Sequence, residues 1–501
     1  MSDLLTALGG PARAAAPGGT AVGGEVAVEV AAAADDLAAH AALRHAAFVA
    51  DQGRFAGHDR DPVDDDPRTT VLIARRITGS RVGQVVGGVR LAPCTPLDLG
   101  WWAGSRLVVA GDAPERTGST LVRAACAHAV AAGVLRFDAL VQPERVRMFE
   151  RLGWHRHGTV VRHGGPHAAM RYPVDRIAAV AASKAPLGPL LAGLSIATDP
   201  GGAATAPGGP GFVGDDAAPV PGSDLLAACD AIVPAMVERD PWWAGWCGVL
   251  VNLNDLAAVG AEPVGLLDAL AAPTRSLAAR VLAGLRDAAA RFDVPILGGH
   301  TQLDVPAALS VTALGRATTP TPGGGGRPGD GVSLAVDLSG GWRPGYHGRQ
   351  WDSTTGRDTS QLRTIHRHVA EARPHAAKDV SMAGIAGTLG MLAEASGTGA
   401  ELDVADVPRP ASTTVGDWLT CFPGSAFLTT GPARPTPATS PLTVAGCGRL
   451  TAEPGVRLVW PDGVRTTVLT GAVTGLGPTA RHAPGARTPA HLPDPTSPEL
   501  T

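Results

Sequence analysis

Four aspartates, Asp215, Asp216, Asp230 and Asp255, stand beside glycine-rich turns or at the ends of expected elements. Short carboxylates in such places can converge on one divalent cation. Mg2+ keeps several of its waters and is typically held by one or two carboxylates together with nucleotide phosphates, so it suits this set. Gly211 and Gly214 flank the first pair and let backbone N–H groups approach phosphate oxygens, as Gly298 and Gly299 of ILGGHT can. Asn252 and Asn254 add two amides just before Asp255. Lys378, next to Asp379, is placed to meet charge that grows during phosphoryl transfer. Each residue alone has a plainer role. Gly-Asp-Asp is a common turn, Asn252 beside a strand forms a turn, His300 bonds within a loop, and Asp379 or the serine after it caps a helix. Read together, the set describes a nucleotide-phosphate and Mg2+ site with Lys378, Asp379 and His300 as catalytic candidates.

Elements to carry these residues are legible in both halves. EVAVEV (25–30) alternates as a half-buried strand, and a helix follows from Asp35 to Phe48. Strands read at TTVLIARRI, VGQVVGGVRLAP and SRLVVAG, then a helix at 119–132, a strand at 136–142 and a helix containing RVRMFERLGW. The second half has a long helix in LAARVLAGLRDAAARF that leads to the strand PILGGHT. Strands and helices alternate, so the fold class is α/β. Residues 1–24 read as a flexible arm, 25–180 as a first domain and 181–210 as a linker and entry segment. Two subdomains (211–335 and 336–477) and a disordered tail (478–501) complete the division.

The composition narrows the function classes. Lys and Arg total 42 against 46 Asp and Glu, a formal charge of −4, so nothing marks a nucleic-acid binder. No window reaches the roughly 18 apolar residues of a membrane helix. The six cysteines are far apart, which fits free thiols and a cytoplasmic location.

The ordered segments of the second half carry a resemblance. GFVGDDAAPV, LLAACDAIVP, VNLNDLAAVGAEPVGLL, ILGGHT and KDVSMAGIAGTLGMLAEASGTGAEL resemble the aminoimidazole-ribonucleotide (AIR) synthetase superfamily, whose members include thiamine-monophosphate kinase, selenophosphate synthetase and the hydrogenase-maturation dehydratase. His300 and Met382 stand where that family often has an acid. The resemblance implies an AIR-synthetase-like α/β domain pair that binds ATP and Mg2+, and a homodimer formed through its sheet.

In the first half, ALVQPERVRMFERLGW and the order strand, turn, helix, strand, helix over 105–154 resemble a GNAT N-acetyltransferase, a mixed-sheet fold. That resemblance implies acetyl-CoA, its pyrophosphate resting on the N–H groups of a helix start at Arg116, Gly118 and Ser119. The loop APERTGSTL departs from the family's Gln/Arg-x-x-Gly-x-Gly/Ala: in one register Arg116 replaces the first glycine, in the other Thr120 replaces the second. Acetyl-CoA binding is therefore expected to be weak. The family's frequent tyrosine falls on Phe149. The acidic run Asp59, Asp61, Asp64, Asp65 and Asp66 reads either as an attractor for a cationic amine or as a solvated loop. Tyr346, His347, Trp351 and Asp352 of the 342–358 segment are candidates for a substrate loop, whereas Trp242, Trp243 and Trp246 read as core or dimer contacts. The two-part chain resembles bacterial fusions or adjacent gene pairs of nitrilase-associated clusters. The combined expectation is a bifunctional enzyme: ATP-dependent phosphoryl transfer to an oxygen of a small substrate, joined to an N-acyltransferase-like domain. A non-catalytic nucleotide- or CoA-sensing scaffold is the alternative.

Overall fold

The computed structural model describes residues 21–477 except 186, 195, 198–203, 206–207, 210 and 433–439. Residues 1–20 of the expected arm and the expected tail from 478 lie outside the described residues. The chain divides into two compact units. The first comprises residues up to Val180 together with Leu338–Asp352 and Arg409–Pro423, and the second holds Ala181–Asp337, Ser353–Pro408 and the chain from Gly424.

The first unit is built on an eight-stranded mixed sheet. Its strands are β1 (Ala21–Gly23), β2 (Val26–Val30), β3 (Thr70–Arg76), β4 (Val85–Pro93), β5 (Trp101–Val109), β6 (Arg136–Val141), β7 (His155–Arg162) and β8 (Gly165–Tyr172), in the order β1-β2-β3-β4-β5-β6-β8-β7. The arm expected over 1–24 thus ends in a strand: Ala21–Gly23 pairs with Val26–Val28 through a tight turn at Gly24, whose φ is +64°. Helices α1 (Ala34–Arg44), α2 (Thr117–Ala131) and α3 (Val146–Arg151) accompany the sheet. Leu121, Val122, Ala125 and Ala129 form the buried stripe of α2 and join Val86, Val89 and Phe137 in the core. The β5–β6 pair is parallel and short, running only from Trp101–Gly104 against Arg136–Ala139. Beyond it Arg106 takes φ +53°, and the β4–β5 register slips between Gly88 and Arg90. The strands part there, as bulges make them do, and residues 103–111 and 139–142 line a cavity of about 1360 Å3.

The segments 338–352 and 409–423 belong to this unit by contact. Gly416 N–H donates to Gly133 O at 3.1 Å, Arg409 reaches Asp98 O at 2.6 Å, and Arg176 pairs with Asp417. Trp342, Trp351 and Trp418 meet edge to face at 5.2 and 5.6 Å between centroids. Trp351 and Trp418 are buried, so the segment read as a substrate loop has an aromatic core.

The second unit has two main sheets. Helix α4 (Arg176–Ala181) closes the first unit's main segment, and after α5 (Leu187–Leu191) in the second unit the short strands β9 (Ile196–Ala197) and β10 (Ala204–Thr205) pair with each other. The expected linker therefore carries structure in its described part, and Gly188 N–H donates to Thr474 O at 2.8 Å. The five-stranded sheet runs β11 (Ala218–Pro219), β12 (Leu225–Ile232), β15 (Ala308–Arg316), β13 (Glu262–Ala272), β14 (Ile296–Leu303). Helices α6 (Pro234–Arg239), α7 (Pro241–Ala258) and α8 (Arg275–Phe292) cover it. Helix α7 is buried almost all round, as an apolar-all-round helix must be. It meets α8 at Gly245 and Gly284, where a Cβ would come within 2.1 and 1.9 Å of backbone carbonyl oxygens. The seven-stranded sheet runs β19 (Ala376–Asp379), β21 (Ala426–Thr430), β16 (Gly331–Val336), β22 (Thr443–Thr451), β20 (Gly399–Asp403), β23 (Gly455–Val459), β24 (Arg465–Leu469), with α11 (Gly384–Ala395) packed on it, while α9 (Thr359–His366) and α10 (His368–Ala372) pack against α7 and α9 also meets α8. The remaining short elements, β17 (Gly341–Trp342), β18 (Trp351–Asp352) and α12 (Val415–Thr420), lie in the first unit. Both units mix strands and helices, as the alternation of elements led us to expect.

Candidate active site

Lys378 and Asp379 end the buried strand β19, and the turn Gly214-Asp215-Asp216 comes to them from across the sequence. Lys378 Nζ donates to Asp216 Oδ1 at 2.8 Å, to Asp215 Oδ1 at 3.0 Å and to Gly214 O at 3.3 Å. Gly214 presents that carbonyl from φ +66°, a conformation glycine adopts without strain. Asp215 also accepts from its neighbour Asp216 N–H at 2.8 Å and from Gly323 N–H at 2.5 Å. Asp216 Oδ2 accepts from Asp379 N–H at 3.0 Å.

Asp216, Asp255 and Asp379 then converge, each offering a carboxylate oxygen within 4.8 Å of the others. Burial and the neighbouring carboxylates hold Asp255 and Asp379 well above the usual carboxylate range. Burial likewise pushes Asp216 up to about 6, with Lys378 opposing. Burial alone would lower Lys378; Asp216 and Asp215 beside it outweigh that and raise it. Three crowded carboxylates against one lysine leave negative charge in a desolvated place, which a divalent cation satisfies. The donor set is all oxygen and suits Mg2+.

The expected site residues sort by place. Asp255 sits on α7 and belongs to the trio. Asp379, expected as a catalytic group, stands in the trio as well. Asp215, expected as a metal ligand, has its carboxylate shared among Lys378, Asp216 N–H and Gly323 N–H. Lys378, expected to meet phosphate charge, spends its three N–H donors on protein oxygens. Asp230 is exposed near the end of β12, and the protein around its carboxyl raises it while Lys184 opposes. Asn252 lies within α7 rather than beside a strand; its Oδ1 accepts from Asp230 N–H at 3.2 Å, its Nδ2 donates to Gly248 O at 2.8 Å, and it ties α7 to β12. Asn254 donates to Gly424 O at 2.7 Å and bonds His366 at 3.2 Å. Gly211 has φ +82° in the entry turn. Gly298, Gly299 and His300 lie on the exposed edge strand β14, paired with Leu267, Asp268 and Ala269, and His300 forms none of the cluster's hydrogen bonds. Gly323, Gly424 and His366 were not anticipated. Gly323 belongs to the glycine run at 323–326, a pattern that marks a loop and by itself points to no partner.

In the first unit, Arg116, Gly118 and Ser119 line the cavity at the start of α2. Arg116 has φ +68°, the left-handed conformation that favours glycine. The acidic run is already paired. Asp59 and Asp64 hold Arg44, Asp61 and Asp64 hold Arg90, and Arg106 reaches Asp59 and Asp61. Asp65 pairs with Arg60 and Asp66 with Arg68. The expected attractor for a cationic amine is thus neutralised from within. None of the six cysteines forms a disulfide, and no helix among the described residues is long and apolar enough to cross a membrane.

Fold and site define a class. The family of AIR synthase related proteins matches in two parts, its N-terminal domain over residues 214–317 and its C-terminal domain over 354–453. The chain belongs to this family. It is 39% identical over 223 residues to the protein named uncharacterized protein sll0787 of Synechocystis, a match that covers 43% of this chain and 69% of that one. It is 37% identical over 112 residues to a thiamine-monophosphate kinase of Synechococcus elongatus, covering 20% of this chain and 34% of the kinase. A solved structure described as AaThiL complexed with AMPPCP and TMP aligns with TM-score 0.42 and 22% identity, over 51% of this chain and 89% of that one.

Proposed function

We propose that the second unit binds ATP with Mg2+ and transfers the γ-phosphoryl group to an oxygen of a small substrate, such as an amide or carboxylate oxygen. The observation that carries this reading is the convergence of Asp216, Asp255 and Asp379 on one buried point beside a glycine-rich turn. Asp216, Asp255 and Asp379 would hold Mg2+, which when bound neutralises phosphate charge. Lys378 keeps Asp216 in place and ionised, and Asn252 fixes α7, and so Asp255, against β12. ATP consumption with candidate amides and carboxylates tests the reading. Asp216→Asn is expected to lower nucleotide affinity in Mg2+ at least tenfold, about 1.4 kcal/mol. Unchanged affinity in a folded variant overturns it. The occupied donors of Lys378 favour the rival, a nucleotide-sensing scaffold; binding without turnover of any candidate supports that rival. The exposed Val264, Leu267, Ile296 and Leu297 on β13 and β14 support a homodimer through this sheet.

The same cluster sets a pH dependence. Its carboxyls are raised, so the folded state holds protons that Mg2+ must displace. Stabilisation by Mg2+ is expected to be small near pH 5 and to grow as pH rises through about 6, where Asp216 ionises. Melting with and without Mg2+ reads this difference directly. Melting without Mg2+ alone does not, because His40 and His366, both lowered to about 4 by desolvation, act with the opposite sign: their stability is lost as pH falls. A Mg2+ increment independent of pH counts against the carboxylate site.

For the first unit the proposal is a GNAT-like acyltransferase domain that takes acetyl-CoA. The parting of β5 from β6, the cavity between them and the start of α2 on its wall support it. Arg116 in a glycine-favouring conformation supports the register in which it replaces the first glycine of the loop motif.

A further inference from the structure

The cavity of the first unit is cationic. Eight arginines line it and a single acid, Asp61. The acidic loop engages only two of those arginines, Arg90 and Arg106. Arg116, Arg123, Arg145 and Arg162 have no side-chain hydrogen bond or ion pair among the described residues. Three of these four, Arg116, Arg123 and Arg145, stand on α2, just before it, or just after β6. Arg162 lies elsewhere, at the tip of the β7–β8 hairpin.

That hairpin end is built. Arg54 Nε donates to Gln52 Oε1 at 2.8 Å, and Gln142 Nε2 donates to the same oxygen at 3.0 Å, so the guanidinium is oriented from behind. Its Nη1 lies 3.4 Å from where a Cβ on Gly165 would stand, which brings it against the hairpin beside Arg162 and His163. The Nη1 and Nη2 edge has no acceptor among the described residues. Phe55 forms the floor: the His163 ring lies 4.5 Å from it between centroids, and Arg106 Cζ stands 4.6 Å over it. A guanidinium held by one edge with the other edge free is a fork for a carboxylate or phosphate.

We propose that this end of the cavity is a subsite for the oxyanion of a small molecule, carboxylate or phosphate, gripped by Arg54 and Arg162. An ammonium group there faces Arg54, Arg106 and Arg162 with no free carboxylate to receive it, so the subsite selects against simple amines. Under the acyltransferase reading this molecule is the acyl acceptor; that role alone rests on the reading, and the anion subsite does not.

Three ligands with one two-carbon amine skeleton test it on the full chain: β-alanine carries a carboxylate, phosphoethanolamine a phosphate, and ethylamine neither. Calorimetric titration is expected to show at least one of the anionic pair binding tenfold or more tightly than ethylamine. The tighter of the two identifies the oxyanion. Arg162→Gln, at an exposed residue without partners, is expected to weaken that binding at least fivefold, and Arg54→Gln at least tenfold. Equal binding of ethylamine, binding of neither anion, or full affinity in both variants overturns the subsite. Acetyl-CoA titrated separately reads the α2 end. Its failure with anion binding intact removes the acyl-transfer reading alone, and acetyl-CoA binding without anion binding removes the subsite alone.

Discussion

Lys378→Met is expected to destabilise the second unit by about 3–5 kcal/mol, the cost of stranding buried charge when one partner of a buried pair is removed. The Lys378 side chain is 2% exposed and lies between the carboxylates of Asp215 and Asp216, whose side chains are 2% and 13% exposed. Methionine fills a similar volume, so cavity formation contributes little and the loss measures the charge left behind. Asp216 then faces Asp255 and Asp379 with no cation near it. Denaturant unfolding of the full chain measures the effect. Adding Asp216→Asn to Lys378→Met should recover a substantial part of the loss, because the second change removes one stranded charge; the non-additivity is the sign of direct coupling. A Lys378→Met chain within about 1 kcal/mol of the parent, the worth of an exposed ion pair, would show that the pair is solvated.

Much of the scaffold was legible, and the failures have physical causes. Strands β3, β4 and β6 and helices α2 and α8 carry their period in the sequence, and they form within a few residues of expectation. The β7–β8 hairpin was missed because β7 is exposed along its whole length and has no apolar face to alternate. Its one signal was the turn pair Gly164-Gly165 between polar runs. The helix α7 misled in the opposite way: a helix buried on every side has no amphipathic period, and GVLVNL with its β-branched residues reads equally well as strand. Asn252 was consequently placed beside a strand.

At the site, the aspartates of glycine-flanked motifs were visible as carboxylates that could share a cation. Their division of labour was not, because it depends on pairings between residues 162 to 164 positions apart. Nothing local distinguishes Asp215, which is saturated by Lys378 and two N–H groups, from Asp216, which reaches the trio. The same holds for the acidic loop of the first unit. Five aspartates in eight residues look like a negative surface until Arg44, Arg90 and Arg106 arrive from α1, β4 and β5 to neutralise it.

Asp255→Asn is expected to move stability and binding in opposite directions. Asp255 is held well above the ordinary carboxylate range by burial and by Asp379, Asp230 and Asp216. Without a cation its ionised form is unfavourable, so an amide of the same shape relieves repulsion. The metal-free variant should melt about 2–4 °C higher at neutral pH, the shift that about 1 kcal/mol gives in a domain of 150–250 residues. The sign follows from linkage: a carboxyl raised in the folded state costs stability as pH rises through its titration, and the amide does not titrate. In Mg2+ the order reverses. The amide keeps one oxygen but loses the charge, and Mg2+ affinity should fall at least tenfold, about 1.4 kcal/mol. Melting with and without Mg2+, on parent and variant at one pH, gives all four quantities. A variant less stable without metal would mean that Asp255 is satisfied by protein partners. A variant that keeps its Mg2+ increment would place the cation elsewhere. The opposed signs matter because a merely structural aspartate loses stability in both conditions, whereas a ligand kept for a cation trades stability without metal for affinity with it.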